Sequence, residues 1–524
     1  MNILRFLFLS CIVFLALAKK TKLHKEVKHR QRMYNQLEQF VVDGAIQVRY
    51  EEQKGFFTVA KKEIDGVTVR APAEMTLSVF EEFELKKVFE EFVAKEKRVF
   101  GVTEEGDYLS TSVMLAFRIH TEKYYQKAQE MISKKSNPDL YKKFLYSFPW
   151  STNDLSNWSD KDFEYYQKVA FSAPEFKDNF SRNVYSLFMG YLHECRRVPG
   201  FSNCDKLIEL FQEEKKVVNT IDVVLTRSIG IYFKDWQILH NNFVSKSRYN
   251  VSSFLMPLAD VPNHRFTHLD PENPNFTEQG KFHLTPEKGY VGFKVDKTFN
   301  EGLEGNCDIE DCEEYNFIYI PMASNAYMVS SYGIADIDNK FIHLNPPLYL
   351  KSDDLSPLHQ RLCKRFLSSN DCSLESLSLA SWEEESSNDL LTFSQIRSLK
   401  LSNSKGRRSK QTQEAKYKEL EQTYLEYGYF DFYSEISSIQ EVISTMENYL
   451  DTKTDITWDL KEREKYLEKS KQSNKAARKV QPRLTALAAS INEKRFLIKE
   501  IESLYARMEF LIDEQLDEDL FEVF

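Results

Sequence analysis

The chain has 524 residues, which is too many for a single hydrophobic core, so two or three domains are expected. Hydrophobic residues make up 42% of it and aromatic residues 14%, a composition that excludes a largely disordered protein. The formal net charge of -10 argues against a dedicated nucleic-acid binder, because neutralising phosphates requires a basic surface. With 16 glycines, the chain is also a poor match to proteins dominated by Gly-rich phosphate loops.

Residues 1–18 have the pattern of a signal peptide. Arg5 supplies the positive start, residues 6–15 are mainly apolar, and Ala16-Leu17-Ala18 is a small-x-small cleavage site. The apolar stretch is too short to span a bilayer well, and no later segment approaches ~20 uninterrupted apolar residues. We therefore expect a mature chain without a transmembrane helix, in the secretory-pathway lumen or secreted. An uncleaved amphipathic anchor is the alternative.

Six cysteines remain after the signal peptide, and they fall into three pairs that are close in sequence: Cys195/Cys204, Cys307/Cys312 and Cys363/Cys372. Six cysteines allow fifteen connectivities, so this pairing rests on proximity alone. No Cys-x-x-Cys motif occurs, and no histidine lies at zinc-finger spacing from a pair, which argues against a structural zinc site. Disulfides fit the oxidising compartment that a signal peptide implies.

Short β-type runs follow a charged, helix-prone leader over residues 19–40. Three runs alternate apolar with polar residues and are rich in β-branched side chains: 46–50, 56–60 and 67–71. Lys54-Gly55 and Asp65-Gly66 separate the runs as turns. The sequence therefore predicts a small antiparallel sheet built from these three runs.

Helical patterns dominate from about residue 81 to 240. Apolar residues recur at helical spacing from Leu109 to Tyr125, and residues 154–171 have the pattern of a capped helix pair around Trp158. Short strands and long polar loops are predicted between residues 250 and 345, and helices from about residue 354 to the end.

Apolar stripes on the C-terminal helices predict a helical bundle. Each stripe steps by three or four residues, as one face of a helix does, and the last stripe has one gap after Ile491. The stripes are Tyr417, Leu420 and Tyr424; Ile436, Ile439, Ile443, Met446 and Leu450; and Leu484, Leu487, Ile491, Ile498, Ile501, Tyr505, Met508 and Ile512. Two basic segments, 400–410 and 465–483, lie between these elements and are predicted to be solvated.

The most informative segment joins an apolar strand to a polar turn. Residues 254–264 read F-L-M-P-L-A-D-V-P-N-H. Asp260, Asn263 and His264 therefore come directly after a buried element, where binding sites are commonly built. An Asn-His pair alone is a weak signal, because most such pairs are ordinary loop residues.

A second block strengthens this interpretation. It begins at Ser324-Asn325-Ala326 and ends at Tyr332-Gly333, 68 residues after His264. Tyr319 stands six residues before Asn325, which stands seven before Tyr332. Two polar blocks at a fixed internal spacing indicate a site more strongly than either block does.

The two blocks, P-L-A-D-x-x-N-H and S-N-A-x-x-x-x-x-Y-G, resemble the signature blocks of SET domains in the Rubisco large-subunit methyltransferase-like family. Residues 224–228 are similar to the family's segment that carries a cofactor-contacting arginine. Residues 146–149 with Trp158-Ser159 resemble the beginning of its helical insertion. Residues 491–498 resemble the long helix of its C-terminal substrate-binding domain.

The resemblance implies an α+β fold: a SET β-fold of short antiparallel strands with a helical insertion, followed by an all-α C-terminal domain. The expected order is the signal peptide (1–18), the helical leader (19–40), the N-terminal part of the SET domain (41–110), the helical insertion (111–240), the C-terminal part of the SET domain with the cofactor and catalytic motifs (241–345), and the helical substrate-binding domain (354–524).

The resemblance also implies roles for residues that match the family's motifs. Tyr332 would be the catalytic tyrosine of a narrow aromatic tunnel, and Tyr319 would line the same tunnel. S-adenosylmethionine would be the cofactor, and no metal is expected. The residues implied to hold the cofactor are Gly55, Arg227, Asp260, Asn263 and His264.

The implied function is transfer of a methyl group from S-adenosylmethionine to a protein lysine, with histidine as another target within the same family. The C-terminal helical domain would dock the protein substrate, and we expect a monomer. One departure favours a different function: Gln53-Lys54-Gly55 keeps only the second glycine of the family's Gly-x-Gly turn, which lets the backbone approach the cofactor. The alternative is a catalytically inactive SET scaffold that binds a protein partner in the secretory pathway.

Overall fold

The computed structural model describes residues 27–51, 55–61, 66–100, 104–148, 152, 154–175, 177, 180–195, 204–243, 246–259, 261, 282–295, 314–315, 323–339, 341–344, 356–367, 379–382, 385–399 and 410–522. The strands within these ranges are β1 (Ile46–Glu51), β2 (Gly55–Ala60), β3 (Val67–Pro72), β4 (Leu77–Ser78), β5 (Ile229–Tyr232), β6 (Val251–Leu255), β7 (Phe282–Glu287), β8 (Tyr290–Val295), β9 (Glu314–Tyr315), β10 (Ile342–Leu344), β11 (Leu379–Trp382) and β12 (Glu385–Asn388).

The helices up to residue 240 are α1 (27–37), α2 (Lys86–Lys95), α3 (Lys97–Phe100), α4 (Glu104–Tyr124), α5 (Gln126–Ile132), α6 (Pro138–Ser147), α7 (Asp160–Val169), α8 (Phe180–Cys195), α9 (Cys204–Phe211), α10 (Glu214–Arg227) and α11 (Phe233–His240). The later ones are α12 (Asn325–Tyr332), α13 (Pro357–Phe366), α14 (Asp389–Ser398), α15 (Lys410–Tyr427), α16 (Phe432–Asp451), α17 (Ile456–Gln472) and α18 (Asn474–Glu522). Across the described ranges, no helix is both long and apolar enough to cross a membrane.

The chain divides into two compact units. The first consists of Met1–Asn153, Asp178–Arg265 and Pro274–Pro321, and the second of Asp154–Lys177, Phe266–Asn273 and Met322–Phe524. Helix α7 therefore belongs to the second unit, although it lies within the predicted helical insertion. The second unit also contains α12 to α18.

Three antiparallel sheets, β1-β2-β9, β3-β8-β7 and β4-β6-β5, lie in the first unit. The β1–β2 hairpin confirms two of the three predicted runs, with Ile46 opposite Ala60 and Gly55 closing the turn. The prediction that the third run joins the same sheet is wrong, because β3 pairs with β8, more than 200 residues away. Val69 of β3 is fully buried and lies opposite Phe293, so an apolar partner strand rather than a local turn decides its pairing.

The core of the first unit is rich in phenylalanine. The rings of Phe89, Phe92, Phe117, Phe188 and Phe211 are all fully buried, and those of Phe117 and Phe188 stack with centroids 4.2 Å apart. These rings come from α2, α4, α8 and α9. Helix α4 confirms the helical spacing predicted from Leu109 onward.

The second unit is mainly helical, as predicted for the C-terminal region. It also contains a three-stranded sheet, β10-β11-β12, so the prediction of helices alone from about residue 354 onward is wrong for β11 and β12. The capped helix pair predicted over 154–171 is confirmed: a 3-10 helix at Leu155–Asn157 is capped by Asp154, and α7 is capped by Ser159.

The long helix α18 corrects the apolar stripe predicted for it. Leu487, Ile491 and Ile501 are buried as predicted, but Tyr505 and Ile512 are 40% and 41% exposed. The buried face continues instead through Leu497, Leu504 and Leu511. The stripe changes position because a charged residue, Lys494, occupies the gap after Ile491 and is itself buried.

The basic segment 465–483 is helical over the end of α17 and the beginning of α18. The prediction that this segment is solvated is wrong for Tyr466, Ala477 and Val480, which are buried. Its lysines at the end of α17 remain exposed, as expected for charged side chains. The basic segment 400–410 lies outside the described residues except for residue 410.

Two of the predicted disulfide cysteines have described side chains. Cys204 and Cys363 are buried, and each is disulfide-bonded. Cys307, Cys312 and Cys372 lie outside the described residues, as does the side chain of Cys195. Bonding of two cysteines is therefore established, and the three local pairs stay a prediction.

Candidate active site

The sheet β4-β6-β5 places the first candidate segment at the end of a buried strand. Strand β6 runs antiparallel to β5, with Ile229 opposite Phe254. The buried Ser252 hydroxyl accepts a hydrogen bond from the Val79 N–H at 3.3 Å and donates to the Ser253 carbonyl at 2.9 Å. Because its buried polar groups are bonded, β6 has one defined register, and so does the chain that leaves it.

Arg227 lies at the end of the sheet to which β6 leads. It is the last residue of α10, two residues before the Ile229 that pairs with Phe254. In an antiparallel pair, the residues before one strand and those after the other lie at the same end. The Ser228 carbonyl accepts a hydrogen bond from the Tyr108 hydroxyl at 2.8 Å, which fixes the connection between α10 and β5. The cationic residue Arg227 therefore lies at the end of the sheet from which residues 256–259 continue.

The chain turns sharply after β6 at a strained residue. Leu258 has φ of +68°, a left-handed conformation that is unfavourable for a branched side chain, and it is 1% exposed. The Val261 N–H donates to the Leu258 carbonyl at 3.3 Å, which closes a tight turn. Such conformations cost about 1–3 kcal/mol and are found preferentially at functional sites. Asp260, Asn263 and His264 lie in or just after this turn but outside the described residues, so their roles stay predictions.

Gly55 and the segment of Tyr319 are connected through strand β2. Gly55 pairs with Glu51 and closes the β1–β2 hairpin, whose turn at 52–54 lies outside the described residues. Strand β9 pairs with β2, with Tyr315 opposite Thr58. Tyr319 follows four residues after this pair and also lies outside the described residues.

Tyr332 is the last residue of the short helix α12 in the second unit, and its side chain is partly buried. The Ser324 hydroxyl caps the other end of the helix by accepting a hydrogen bond from the Tyr327 N–H at 3.4 Å. Gly333 ends the helix at φ of +68°, which glycine adopts without strain, and its N–H donates to the Val329 carbonyl at 3.0 Å. The caps at these two ends fix where α12 begins and ends, and Tyr332 is therefore in its last turn.

The amide of Asn325 ties the beginning of α12 to the loop that follows Tyr332. Asn325 is 2% exposed; its Oδ1 accepts a hydrogen bond from the Asp336 N–H at 2.9 Å, and its Nδ2 donates to the Asp336 carbonyl at 2.6 Å. The Nδ2 of buried Asn339 donates to the Ala323 carbonyl at 3.0 Å. The segment 323–339 is therefore closed on itself, with Tyr332 at its middle.

Helix α18 holds the same loop from outside at two points. The Nδ2 of Asn492 donates to the Asn339 carbonyl at 2.7 Å, and its Oδ1 accepts a hydrogen bond from Asn325 Nδ2 at 3.0 Å. The Thr485 hydroxyl donates to the Gly333 carbonyl, next to Tyr332, at 3.3 Å. Both α18 side chains are buried. The loop that carries Tyr332 is thus fixed to a long helix on both sides of the tyrosine.

The two residues after Asn492 are also buried and charged. Glu493 accepts a hydrogen bond from the Phe171 N–H at 2.7 Å, and burial raises the pKa of its carboxyl. Lys494 forms an ion pair with Asp459, and both side chains are almost fully inaccessible to solvent. Lys494 also donates to the Thr454 hydroxyl at 3.0 Å, while burial lowers the pKa of its amine. One turn of α18 therefore holds three separate segments of the second unit.

The structure describes three of the seven predicted site residues: Tyr332, Arg227 and Gly55. Tyr332 lies in the second unit, and the other two lie in the first. Asn325 and Asn492 stood inside the motifs that carry the resemblance, but sequence reasoning gave neither a role. The signal for Asn492 was the gap in the apolar stripe, where four consecutive polar residues follow Ile491. Among the described residues, no group of three His, Cys, Asp or Glu side chains could hold a metal ion.

No protein-family model matches the sequence, and no curated protein matches it. Solved structures do. The crystal structure of the SET domain of LSMT bound to lysine and AdoHcy aligns over 94% of this chain and 93% of that chain, with a TM-score of 0.54 at 14% identity. A structure of Rubisco LSMT bound to AdoMet aligns over 92% and 93%, with a TM-score of 0.52 at 13% identity. One bound to sinefungin and monomethyllysine gives a TM-score of 0.51 at 14% identity over the same shares.

At these identities the likeness shows the fold. The chain has a SET-domain methyltransferase fold with a helical C-terminal region, and this confirms the predicted α+β fold class. The alignment spans more than nine-tenths of both chains, so it includes both compact units.

Proposed function

We propose that this protein is an S-adenosylmethionine-dependent methyltransferase that acts on a lysine side chain of another protein, with Tyr332 as its catalytic tyrosine. The observation that carries the proposal is the placement of Tyr332. In a chain with a SET fold, it stands at the family's spacing from Asn325 and ends a helix whose loop is held by Asn325, Thr485 and Asn492. A positioned hydroxyl is what a methyl transfer to nitrogen requires, because alignment is its main source of rate.

The described residues fit the cofactor at one point, the end of the β5–β6 pair. Arg227 lies at that end, as does the strained turn at Leu258, which is part of the P-L-A-D-x-x-N-H block. By resemblance, Arg227 would bind the carboxylate of S-adenosylmethionine through charge-assisted hydrogen bonds. Asn263 and His264 would bind its adenine and amino-acid portions, while Asp260 would brace the turn. When bound, the cofactor supplies a methyl group on a positively charged sulfur.

The protein's part in the reaction is to present a neutral amine in line with that methyl group. A protonated nitrogen has no lone pair to share, and a lysine amine in water has a pKa of ~10.4. An apolar channel lowers this pKa by penalising the charged form. We propose that the Tyr332 hydroxyl accepts a hydrogen bond from the amine and so orients its lone pair, with Tyr319 lining the same channel.

We propose that the protein substrate docks on the C-terminal helical region. Four large side chains there are more than half exposed: Leu425, Tyr427, Tyr433 and Phe510. Exposed aromatic and aliphatic side chains are the usual anchors of protein interfaces. From the signal-peptide pattern we propose that the reaction takes place in the secretory lumen or outside the cell, and that the enzyme acts there as a monomer.

The alternative proposal is a SET scaffold without activity that binds a protein partner through the same helical region. Gln53 favours it, because a glycine at that position lets the backbone approach the cofactor closely and glutamine does not. The two proposals differ in one measurable property, which is binding of S-adenosylmethionine.

Cofactor binding is tested on the mature chain, beginning at residue 19, by thermal unfolding with S-adenosylmethionine or S-adenosylhomocysteine. At ~100 times its dissociation constant, a ligand of the native state adds ~2.7 kcal/mol, which raises the melting temperature measurably. We expect this rise with both compounds. A folded protein that neither compound stabilises at millimolar concentration would exclude the enzyme and favour the scaffold.

The role of Tyr332 is tested with Tyr332→Phe. The expected result is unchanged stabilisation by the cofactor and about 100-fold slower transfer of labelled methyl groups to a secretory-protein extract, because the hydroxyl alone is lost. Tyr327→Phe is the matched control: it lies on the same helix, its ring centroid is 6.5 Å from that of Tyr332, and it is 46% exposed. Its transfer rate should stay near that of the wild type. Equal rates for the two variants would contradict the assignment.

A further inference from the structure

A cleft in the first unit is lined by two lysines and by aromatic rings. It lies between α4, α6 and α10 and is open to solvent. Its walls include Lys123, Tyr124, Tyr146, Phe148, Lys216 and Thr220. Clefts that bind small molecules typically combine apolar walls with a few polar groups.

Lys123 is the cation at the aromatic wall of the cleft. Its ammonium lies 5.6 Å from the ring centroid of Tyr146 and 5.8 Å from that of Phe148. The Tyr146 hydroxyl donates to the Lys123 carbonyl at 3.1 Å, which holds this ring against the lysine. No carboxylate in the described part of the chain lies within ion-pair distance of its ammonium. Burial and the nearby Arg30 lower the pKa of Lys123 to about 8.

The other ionisable groups around the cleft leave it positively charged. Lys216 lies 5.2 Å from the Tyr124 ring centroid and is paired with Glu213 at 2.6 Å. The ring of His120 contacts that of Tyr124 in a tilted arrangement, with centroids 4.8 Å apart. Burial lowers the pKa of His120 to about 4, so it is neutral at pH 7. The Arg30 guanidinium donates to the Ser147 carbonyl at 3.1 Å. A partly buried cation without a counterion is unfavourable, and a bound anion would relieve this cost.

The cleft lies at the opposite end of the α4–α10 pair from Arg227. Tyr108 of α4 bonds the Ser228 carbonyl, directly after Arg227, whereas Lys123 comes fifteen residues later on α4. At 1.5 Å per residue this separates them by roughly 22 Å along the helix. The cleft and the proposed cofactor end of the sheet are therefore different places on the first unit.

We infer that this cleft binds a small organic anion, in which one carboxylate or phosphate group pairs with Lys123 and a planar apolar body contacts the rings of Tyr146 and Phe148. The positive charge of Lys123 attracts an anion, and the aromatic walls favour a flat apolar group over a fully hydrated one.

The inference is tested by calorimetric titration of the mature chain with benzoate, phenyl phosphate and inorganic phosphate. Benzoate or phenyl phosphate should bind saturably, and at least about 10-fold more tightly than inorganic phosphate, because only they contact the rings. Lys123→Met should weaken this binding about 10-fold or more, whereas Lys123→Arg should retain most of it. Lys127→Met, an exposed lysine on the neighbouring helix α5, is the control and should bind like the wild type.

A measurement on the wild type alone avoids dependence on the folding of the variants. Amine labelling followed by mass spectrometry should show Lys123 protected by phenyl phosphate, with Lys127 labelled equally in its presence and absence. If neither benzoate nor phenyl phosphate binds the folded wild type saturably up to about 10 mM, the inference is overturned. Unchanged affinity in Lys123→Met, or unchanged labelling of Lys123, would overturn it as well.

Discussion

The hydrogen bonds of Asn492 make a specific prediction about the loop of Tyr332. Asn492 is 6% exposed; it donates to the Asn339 carbonyl at 2.7 Å and accepts a hydrogen bond from Asn325 at 3.0 Å. Asn492→Leu keeps a side chain of similar size but leaves that carbonyl and one N–H of Asn325 buried without these partners. Each orphaned group costs about 1–3 kcal/mol, so the loss of both should destabilise the loop by about 2–6 kcal/mol.

Hydrogen exchange monitored by mass spectrometry is the appropriate assay, because it reports on the loop itself. The Asp336 N–H is bonded to Asn325, so the peptide over 333–339 should exchange about 30-fold faster or more in the variant. Methyl transfer should fall with it, while stabilisation by S-adenosylmethionine persists. Arg495→Gln is the matched control: it lies one turn on, and its exposed ion pair with Asp338 is worth less than about 1 kcal/mol.

One result would refute this reasoning. If exchange over 333–339 is no faster in Asn492→Leu than in Arg495→Gln, then α18 does not hold the loop through Asn492. Loss of the whole second unit's protection would instead indicate a global effect, and the milder Asn492→Ser, whose hydroxyl remains a donor, would then replace it in the comparison.

Three further predictions concern stability. Lys494→Met should lower the free energy of unfolding by about 3–5 kcal/mol, because it leaves Asp459 buried without its cation. Adding Asp459→Asn should recover part of this loss of stability. Equal melting temperatures of the single and double variants would contradict the prediction. Gly333→Ala should lower stability by about 1 kcal/mol and Gly333→Asn by less, measured in melts, because φ is +68° there. Burial lowers the pKa of His120 to about 4 in the folded protein. As the pH falls, this histidine is therefore protonated first in the unfolded chain, and about 3 kcal/mol of stability should be lost between pH 7 and pH 4. His120→Gln should lack that part of the loss in denaturant titrations at the two pH values.

Local patterns were sufficient for part of the fold. The β1–β2 hairpin follows from alternation and from a turn closed by Gly55, since both strands and their connection lie within fifteen residues. The partner of β3 could not be deduced in this way, because Val69 lies opposite Phe293 in a strand more than 200 residues away. Pairing at that distance depends on how whole elements pack, and periodicity contains no information about it.

The buried face of the second half of α18 was predicted wrongly for a related reason. A lysine in an apolar stripe is ordinarily assigned to solvent, because a buried ammonium is costly without a partner. Lys494 is buried because Asp459, which comes from α17, lies beside it. Once Lys494 is placed on the buried face, the step to Leu497, Ile501 and Leu504 follows the helical period.

The spacing within the second block was enough to identify Tyr332 as a candidate. It did not reveal which residues position Tyr332. Asparagine is common in loops, where its amide bonds the local backbone, so Asn339 carried no distinctive signal, and the motif that contains Asn325 did not indicate what its amide bonds. Their partner Asn492 is more than 150 residues away. A candidate catalytic tyrosine can thus be identified from a motif. The amides that hold its loop can be identified only from the fold, which brings distant residues together.

The buried polar turn of α18 bears on the choice between enzyme and scaffold. Apolar side chains could have packed the interior of the second unit without the desolvation cost of Asn492, Glu493 and Lys494, and buried ion pairs are often no more stabilising than such packing. What directional hydrogen bonds add is a unique geometry, because a network bonded at every member excludes alternative arrangements. The members at Gly333, Ile337 and Asn339 surround the loop of Tyr332. A scaffold needs that loop only to be folded, whereas a catalytic tyrosine needs it in one position, so the network favours the enzyme.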